Sequence, residues 1–438
     1  MPEQLPHPAS VAARMWNTPA TWLREQKLGM DFWIFFLAAF FYDAGFGIYF
    51  FLFNLFLLDL HFDERAIGLI NGALSLGLLV GTLPIGIMSR RIGARPLLRF
   101  CFLIAPVLCV LRALWMWEPA QIGLAFTSGL VMSVWAVCFL PVTASLTTEN
   151  NRASAMGLIF SVGIGATAIG AAVSGYLSQP NSILSAGLSS VEMMRIILLA
   201  SSGIAVCGAF SLPRLPDTRS LAPREPLMRS ARTWTRTFFN NAFLRSYLPC
   251  MALWSSLLAV FTTFSGVYLE KERHLSLASV GLIFSFSRLV ELLSGLTTPL
   301  VLRALGILKG ILATQVATAL LLASMVIIGN PAWCVAFFLG YSAAQWMSSP
   351  ALYTLLMNEV PEEDRASAAA MTMFTSSLVT AGATSAVGVL LVRYSYTPVL
   401  IGIAGFEAAL AILFRFLMRH RAASVTVPGQ IFVESATD

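Results

Sequence analysis

The sequence predicts an all-α integral membrane protein, twelve transmembrane helices arranged as two pseudo-symmetric six-helix bundles. Three observations predict it. The 438 residues are 57% hydrophobic and only 11% charged, with a mean hydropathy of +0.76, whereas soluble domains carry about 25% charge. Apolar runs of about 20 residues, the length that crosses a bilayer's hydrocarbon, can be placed twelve times. The chain also matches itself when it is shifted by 213 residues.

The runs fall at 31–58, 66–89, 97–117, 120–146, 153–178 and 192–212, then at 245–270, 277–302, 308–328, 331–357, 366–392 and 398–418. They define an N-terminal bundle over 31–212 and a C-terminal bundle over 245–418. Residues 1–30 and 419–438 are terminal segments. Between the bundles, 213–244 is rich in Pro and Arg and reads as a linker. Within it, Arg229, Arg232 and Arg236 share one helical face with Trp234 and Phe238 off it. That pattern suits either a helix lying on the membrane surface or a basic linker without regular structure.

The repeat is the decisive observation. In one ungapped register, Gly68, Leu69 and Ile70 fall on Gly281, Leu282 and Ile283, and His61 falls on His274. Arg90 pairs with Arg303, Gly93 with Gly306 and Glu149 with Glu362. Arg152-Ala153-Ser154-Ala155 pairs with Arg365-Ala366-Ser367-Ala368. Two homologous six-helix units are what parallel-repeat transporters are built from.

Lys and Arg give the orientation, since they gather on cytoplasmic loops. With the N-terminus inside, 21 of the 28 fall in or beside cytoplasmic segments and only six outside, with Arg288 inside a span. Both termini and the linker are therefore expected in the cytoplasm, and the plasma (inner) membrane is the expected location. The basic balance of +6 is then a topology signal, and no nucleic-acid partner is expected. The polar stretch before the first run, and that run's length, do not read as a secretory signal.

The composition excludes other chemistries. Cys101, Cys109, Cys138, Cys207, Cys250 and Cys334 stand singly in apolar runs without CxxC spacing, so neither a zinc site nor a disulfide framework is predicted. Four histidines without an HExxH, and no GxxxxGK[ST] loop, leave no case for a metalloenzyme or for ATP drive. No cofactor and no enzymatic activity are expected.

Three ionisable residues stand mid-span: Asp43 in "FFYDAGFGIYFFLFNL", and Arg288 and Glu291 in the eighth run. A charge at a helix centre costs roughly 2.5–3.5 kcal/mol on insertion scales. Asp43, Gly47, Phe50 and Asn54 share a sector of roughly 60°, and Gly281, Arg288, Glu291, Gly295 and Pro299 a stripe of about 80°; both are expected to face the interior. In the repeat register Asp43 falls on Ser256, Arg288 on Ser75 and Glu291 on Leu78. The charges therefore belong to one half each and not to the shared scaffold. Arg288 can neutralise one carboxylate only. The other, without a partner in low dielectric, is expected to hold a proton. Asp43 or Glu291 is thus the candidate coupling-proton carrier, with Arg288 its switchable partner or an anion-binding group. The alternative is a static Arg288–Glu291 bridge.

The chain resembles the major facilitator superfamily over nearly its whole length. The family's signature between its second and third helices is matched at Gly86, Arg91, Gly93 and Arg95, and departs at Arg90, where the family usually has Asp. Arg303, Gly306 and Lys309 form the weaker second copy. Glu149 with Arg152, and Glu362 with Arg365, resemble the charged turns after helices four and ten of sugar-type members. The resemblance implies that Gly86, Arg90, Arg91, Gly93, Arg95, Glu149, Arg152, Arg303, Gly306, Glu362 and Arg365 form a cytoplasmic gate. Surface pairs worth about 0–1 kcal/mol each suit a latch that must open; the plainer role for the arginines is topology alone. The fifth run, "GLIFSVGIGATAIGAAVSG", is Gly-rich without the Gly-Pro of the family's antiporters, and small residues there suit close helix packing. Glu291 resembles by position the helix-eight acid of lactose permease and its relatives.

By the same resemblance, helices one, four, seven and ten flank the pathway. Asn54, Trp135, Trp254, Gln345 and Trp346 are the candidate cavity residues, and Pro141 and Pro350 the candidate bends. The expected function is secondary active transport of a small organic solute by alternating access, with proton symport leading and proton-coupled export of amphipathic compounds the alternative. A polytopic membrane enzyme or scaffold would want a clustered catalytic constellation, and the sequence holds none. The expected partners are a small solute and the lipid bilayer, with the chain a monomer.

Overall fold

The computed structural model describes residues 28–178, 188–212, 238–239, 241–361 and 365–418. The surface-helix reading of Arg229, Arg232 and Arg236 lies outside the described residues. Among the described residues the chain forms twelve long helices and no strand. They are α1 (Met30–Asp59), α2 (Glu64–Ile92), α3 (Ala94–Leu114), α4 (Glu118–Ser145), α5 (Glu149–Leu177) and α6 (Ser190–Cys207), then α7 (Ala242–Lys271), α8 (Leu277–Leu305), α9 (Ile307–Ile327), α10 (Pro331–Glu359), α11 (Arg365–Tyr394) and α12 (Tyr396–Met418). Each overlays one run predicted from the sequence.

Eleven of these helices are long and apolar enough to cross a membrane. The other, α10, is as long, but Tyr341, Ser342, Gln345, Ser348 and Ser349 make its middle more polar. Helices are the natural answer to a solvent that offers no hydrogen bonds, because each satisfies its own backbone. The chain is an integral membrane protein.

The 213-residue repeat is visible in local geometry. The tight turns before α2 and α8 both place a histidine in the left-handed region, His61 at φ 65° and His274 at φ 53°. Two residues later a side chain caps the next helix: Asp63 accepts from the Ala66 amide at 2.8 Å and Ser276 from the Ser279 amide at 3.3 Å. Side-chain oxygens in this position satisfy orphan helix N–H groups. The turns before α3 and α9 are made at Gly93 and Gly306, at φ 88° and ψ 161° and at φ 79° and ψ 158°. A side chain is strained there and glycine is not.

The packing repeats as well. In the first half α1 packs on α5 and α6, α2 on α4, and α3 on α4 and α6. In the second half α7 packs on α11 and α12, α8 on α10, and α9 on α10 and α12. Between the halves, α2 packs on α11 and α5 on α8, and these contacts are symmetry mates too. Both are glycine-on-glycine crossings. A Cβ added to Gly68 would lie 3.1 Å from the Cα of Gly388, and one added to Gly175 would lie 2.9 Å from the Cα of Gly281. In the repeat register Gly68 corresponds to Gly281 and Gly175 to Gly388. Without side chains in between, the backbones approach closely, which is how small residues join helices in lipid.

Placing a larger side chain at such a crossing should force the helices apart at about 1–3 kcal/mol. Gly388→Val and Gly175→Val are each expected to lower the thermal unfolding midpoint of the purified protein. Gly402→Val, where a Cβ meets nothing within 4 Å, is expected to leave it unchanged.

Candidate functional site

A cavity of about 620 Å³ lies between the halves, bounded by α1, α2, α4, α5, α7 and α8. The α1 stripe expected from the sequence forms one wall: Asp43, Gly47, Phe50 and Asn54 all line it. From α4 come Trp135 and Phe139, from α5 Phe160, Gly163 and Thr167, from α2 Asn71, from α7 Thr262 and Thr263, and from α8 Phe284 and Arg288.

The glycines of α5 make room for α1. A Cβ on Gly163 would stand 2.9 Å from Oδ2 of Asp43, and one on Gly47 would stand 2.9 Å from the Cα of Thr167. Asp43 is thus seated in a gap that only glycine leaves. It has no hydrogen bond or ion pair among the described residues. On the α8 wall Arg288 is paired with Glu291 at 2.8 Å, one helical turn away. The Ser287 hydroxyl donates to the same carboxylate at 3.1 Å. Arg288 reaches the cavity while Glu291 is buried behind it.

Asn54 is a hinge of the polar wall. Its amide donates to the Thr263 carbonyl of the other half at 3.2 Å, and its own carbonyl accepts from Asn71 at 3.0 Å. Rings cover much of the remaining surface. Phe46 stacks on Phe50 with centroids 5.8 Å apart, Trp135 meets Phe139 at 4.9 Å, and Phe51 reaches across to Phe284 at 5.3 Å.

Not every candidate cavity residue arrives there. Asn54 and Trp135 do, but Trp254, Gln345 and Trp346 stand in the second half, off the cavity wall. Trp254 and Gln345 are buried in its core, and the indole nitrogen of Trp254 and the amide of Gln345 have no hydrogen-bond partner among the described residues. Trp346 packs near Gly295 of α8, a Cβ there lying 3.4 Å from its ring nitrogen. Among the charged-turn residues, Glu362 lies outside the described residues, as do the side chains of Arg90, Glu149, Arg152 and Arg303. Arg91 is exposed, Arg95 half-buried, and Arg365 donates to the Val360 carbonyl at 3.3 Å. Gly86 sits where a Cβ would meet nothing.

Three polar features escape the sequence reading. Asn71 was legible as an amide within an apolar run. Glu407, in the middle of α12, is fully buried and accepts a hydrogen bond from Tyr341 at 2.7 Å; the mid-span criterion that singles out Asp43 applies to it equally. The third is an ion pair between the halves, Lys271 of α7 on the buried Glu64 of α2 at 2.5 Å, with the Tyr396 hydroxyl donating to the same oxygen at 3.2 Å. Helix ends carry many charges, and only the fold shows which two meet.

The sequence matches the family model of the Major Facilitator Superfamily over residues 35–384, four fifths of the chain. The protein therefore belongs to that superfamily, and it is a membrane transporter of small solutes rather than an enzyme. No curated protein matches the sequence significantly.

Among solved structures it is similar to the nucleoside transporter NupG, with a TM-score of 0.75 at 16% identity, covering 88% of this chain and 99% of that one. A bacterial homologue of the human lysosomal transporter Spinster, inward-facing and occupied, gives a TM-score of 0.71 at 12% identity over 91% and 98%. A D-xylose–proton symporter gives 0.69 at 14% identity over 87% and 96%. At these identities the likeness is one of fold.

The Glu64–Lys271 pair is half exposed on its lysine side, and an exposed-to-intermediate pair contributes about 1 kcal/mol at most. Glu64→Gln is expected to loosen the seam, so that a Ser385→Cys thiol beside Gly72 reacts with maleimide roughly fivefold faster. The assay belongs in a Cys207→Ser background, since Cys207 is the exposed thiol among the described residues.

Proposed function

We propose that the protein is a proton-coupled secondary transporter that imports a small organic solute by symport, through alternating access of its two halves. The observation that carries this reading is Asp43: a carboxyl on the wall of the cavity that Arg288 also lines, in one half only and without a fixed partner, while Arg288 is held by Glu291. In a low-dielectric site a lone carboxyl is most stable when something neutralises it, and a proton taken up from one side and released to the other does so reversibly. Arg288 is the switchable element. When Glu291 is neutral the pair is broken, and the guanidinium is free to turn to Asp43 or to the solute. The proton gradient is the driving force, with no resident cofactor.

The central cavity is the solute site, and the glycine crossings close one mouth. The charged residues Arg90, Arg91, Arg95, Glu149, Arg152, Arg303, Glu362 and Arg365, with Gly86, Gly93 and Gly306 at the turns, would latch the other. The Lys and Arg distribution supports an orientation with both termini and the 213–244 linker in the cytoplasm, and the protein works as a monomer in the inner membrane. The likeness to a D-xylose–proton symporter supports proton coupling. A second reading, export of amphipathic compounds, is favoured by the aromatic share of the cavity wall.

Proteoliposomes carrying Asp43→Asn or Glu291→Gln test the coupling. The variant lacking the carrier is expected to lose proton-driven accumulation, by on the order of a hundredfold for a strict carrier, while keeping exchange across the membrane. That factor corresponds to about 2.7 kcal/mol. If both variants insert properly and still accumulate solute in response to a pH gradient, neither carboxyl carries the proton.

A further inference from the structure

The amides and hydroxyls of the cavity wall spend most of their hydrogens within the protein. Asn71 uses both amide hydrogens within the protein, on Asn54 Oδ1 at 3.0 Å and on the Ile67 carbonyl at 2.9 Å. Asn54 donates to Thr263's carbonyl. The hydroxyls of Thr167 and Thr262 donate to the Gly163 and Ala259 carbonyls of their own helices at 2.9 and 3.0 Å, and Thr263 likewise donates to Ala259 at 2.8 Å. A hydroxyl has one hydrogen and two lone pairs, so these groups present acceptors to whatever enters.

Charge points the same way. Arg288 is the one cation among the residues lining the cavity, and Glu291 answers it at 2.8 Å. Asp43 is left as an unbalanced carboxylate beside aromatic rings. Those rings add to it, because their faces carry negative potential and attract cations. An anion entering would meet Asp43.

We propose that the cavity takes a monovalent organic cation, its ammonium or amidinium headgroup against Asp43 and its apolar or aromatic body among the rings of Trp135, Phe139 and Phe50. The proposal rests on the cavity being the transport site and adds the substrate class; because an ammonium and a proton would take turns on Asp43, it goes with the second reading, export, in which one leaves as the other binds. Positive and amphipathic is the complement of a wall whose one uncompensated charge is the Asp43 carboxylate and whose surface is largely aromatic.

Isothermal titration of the purified full-length protein tests it with three probes of one skeleton: phenethylammonium, phenethyl alcohol and phenylpropanoate. Phenethylammonium is expected to bind roughly tenfold or more tightly than the alcohol, a difference of about 1.4 kcal/mol, and phenylpropanoate more weakly than either. The preference should vanish in Asp43→Asn and persist in part in Asp43→Glu, which separates charge from misfolding. Trp135→Ala should weaken the ammonium probe roughly threefold to tenfold. The proposal is overturned by equal or tighter binding of the alcohol or the carboxylate, by an unchanged preference in Asp43→Asn, or by no saturable binding of the ammonium probe.

Thr167→Trp, which fills the cavity, separates this from the transport reading. Proton movement in proteoliposomes is read with an internal pH dye on adding nucleosides, sugars and amines together. If Thr167→Trp abolishes that signal while the parent shows no preference for the ammonium probe, the transport site stands and the cation class falls. If Thr167→Trp leaves the signal intact, the cavity is not the transport site.

Discussion

Backbone meeting backbone is the constraint on which the rest of this protein depends. Lipid tails are as apolar as leucine, so no hydrophobic force draws helices together inside a membrane, and contact must come from close packing and polar bonds. Here Gly68 meets Gly388 and Gly175 meets Gly281. Each crossing joins a helix of one half to a helix of the other, and the repeat makes them copies of one contact. The crossings sit toward the end of the bundle carrying the His61 and His274 turns, and the cavity lies between α1, α2, α4, α5, α7 and α8. The Glu64–Lys271 pair closes the same seam with charge.

The same reasoning of small residues explains the acid. α5 presents Gly163 to Asp43 and Thr167 to Gly47, so α1 and α5 approach closely enough to frame a carboxylate without a side chain pressing on it. The amides and hydroxyls of the cavity wall are mostly engaged with the backbone or with each other. Such a wall discriminates by what it leaves unsatisfied, and unsatisfied polar groups in low dielectric are expensive.

The two halves share a scaffold and differ in their charges. Turn glycines, caps and crossing glycines recur at the same offset, and Asp43, Arg288, Glu291 and Glu407 do not. Symmetry therefore builds a frame that rocks, and asymmetry gives each half its own chemistry. In the second half the polar interior is turned inward: Glu407 with Tyr341, and Gln345 and Trp254 in the core. The cavity draws mainly on the first half, with α7 and α8 alone contributing from the second.

Much of this was legible in the residues alone. The twelve helices, their order, the paired turns and the inward stripe of Asp43, Gly47, Phe50 and Asn54 follow from hydropathy, helical period and local backbone preference, which act over a few residues at a time. Pairings were not legible. Nothing local says that Asp43 rests against Gly163, that Asn71 and Thr263 use Asn54, that Lys271 reaches Glu64, or that Trp254 and Gln345 turn into the core. Such contacts join positions tens to hundreds of residues apart, and they depend on the rotation and crossing of whole helices. Those are decided only when all twelve pack at once.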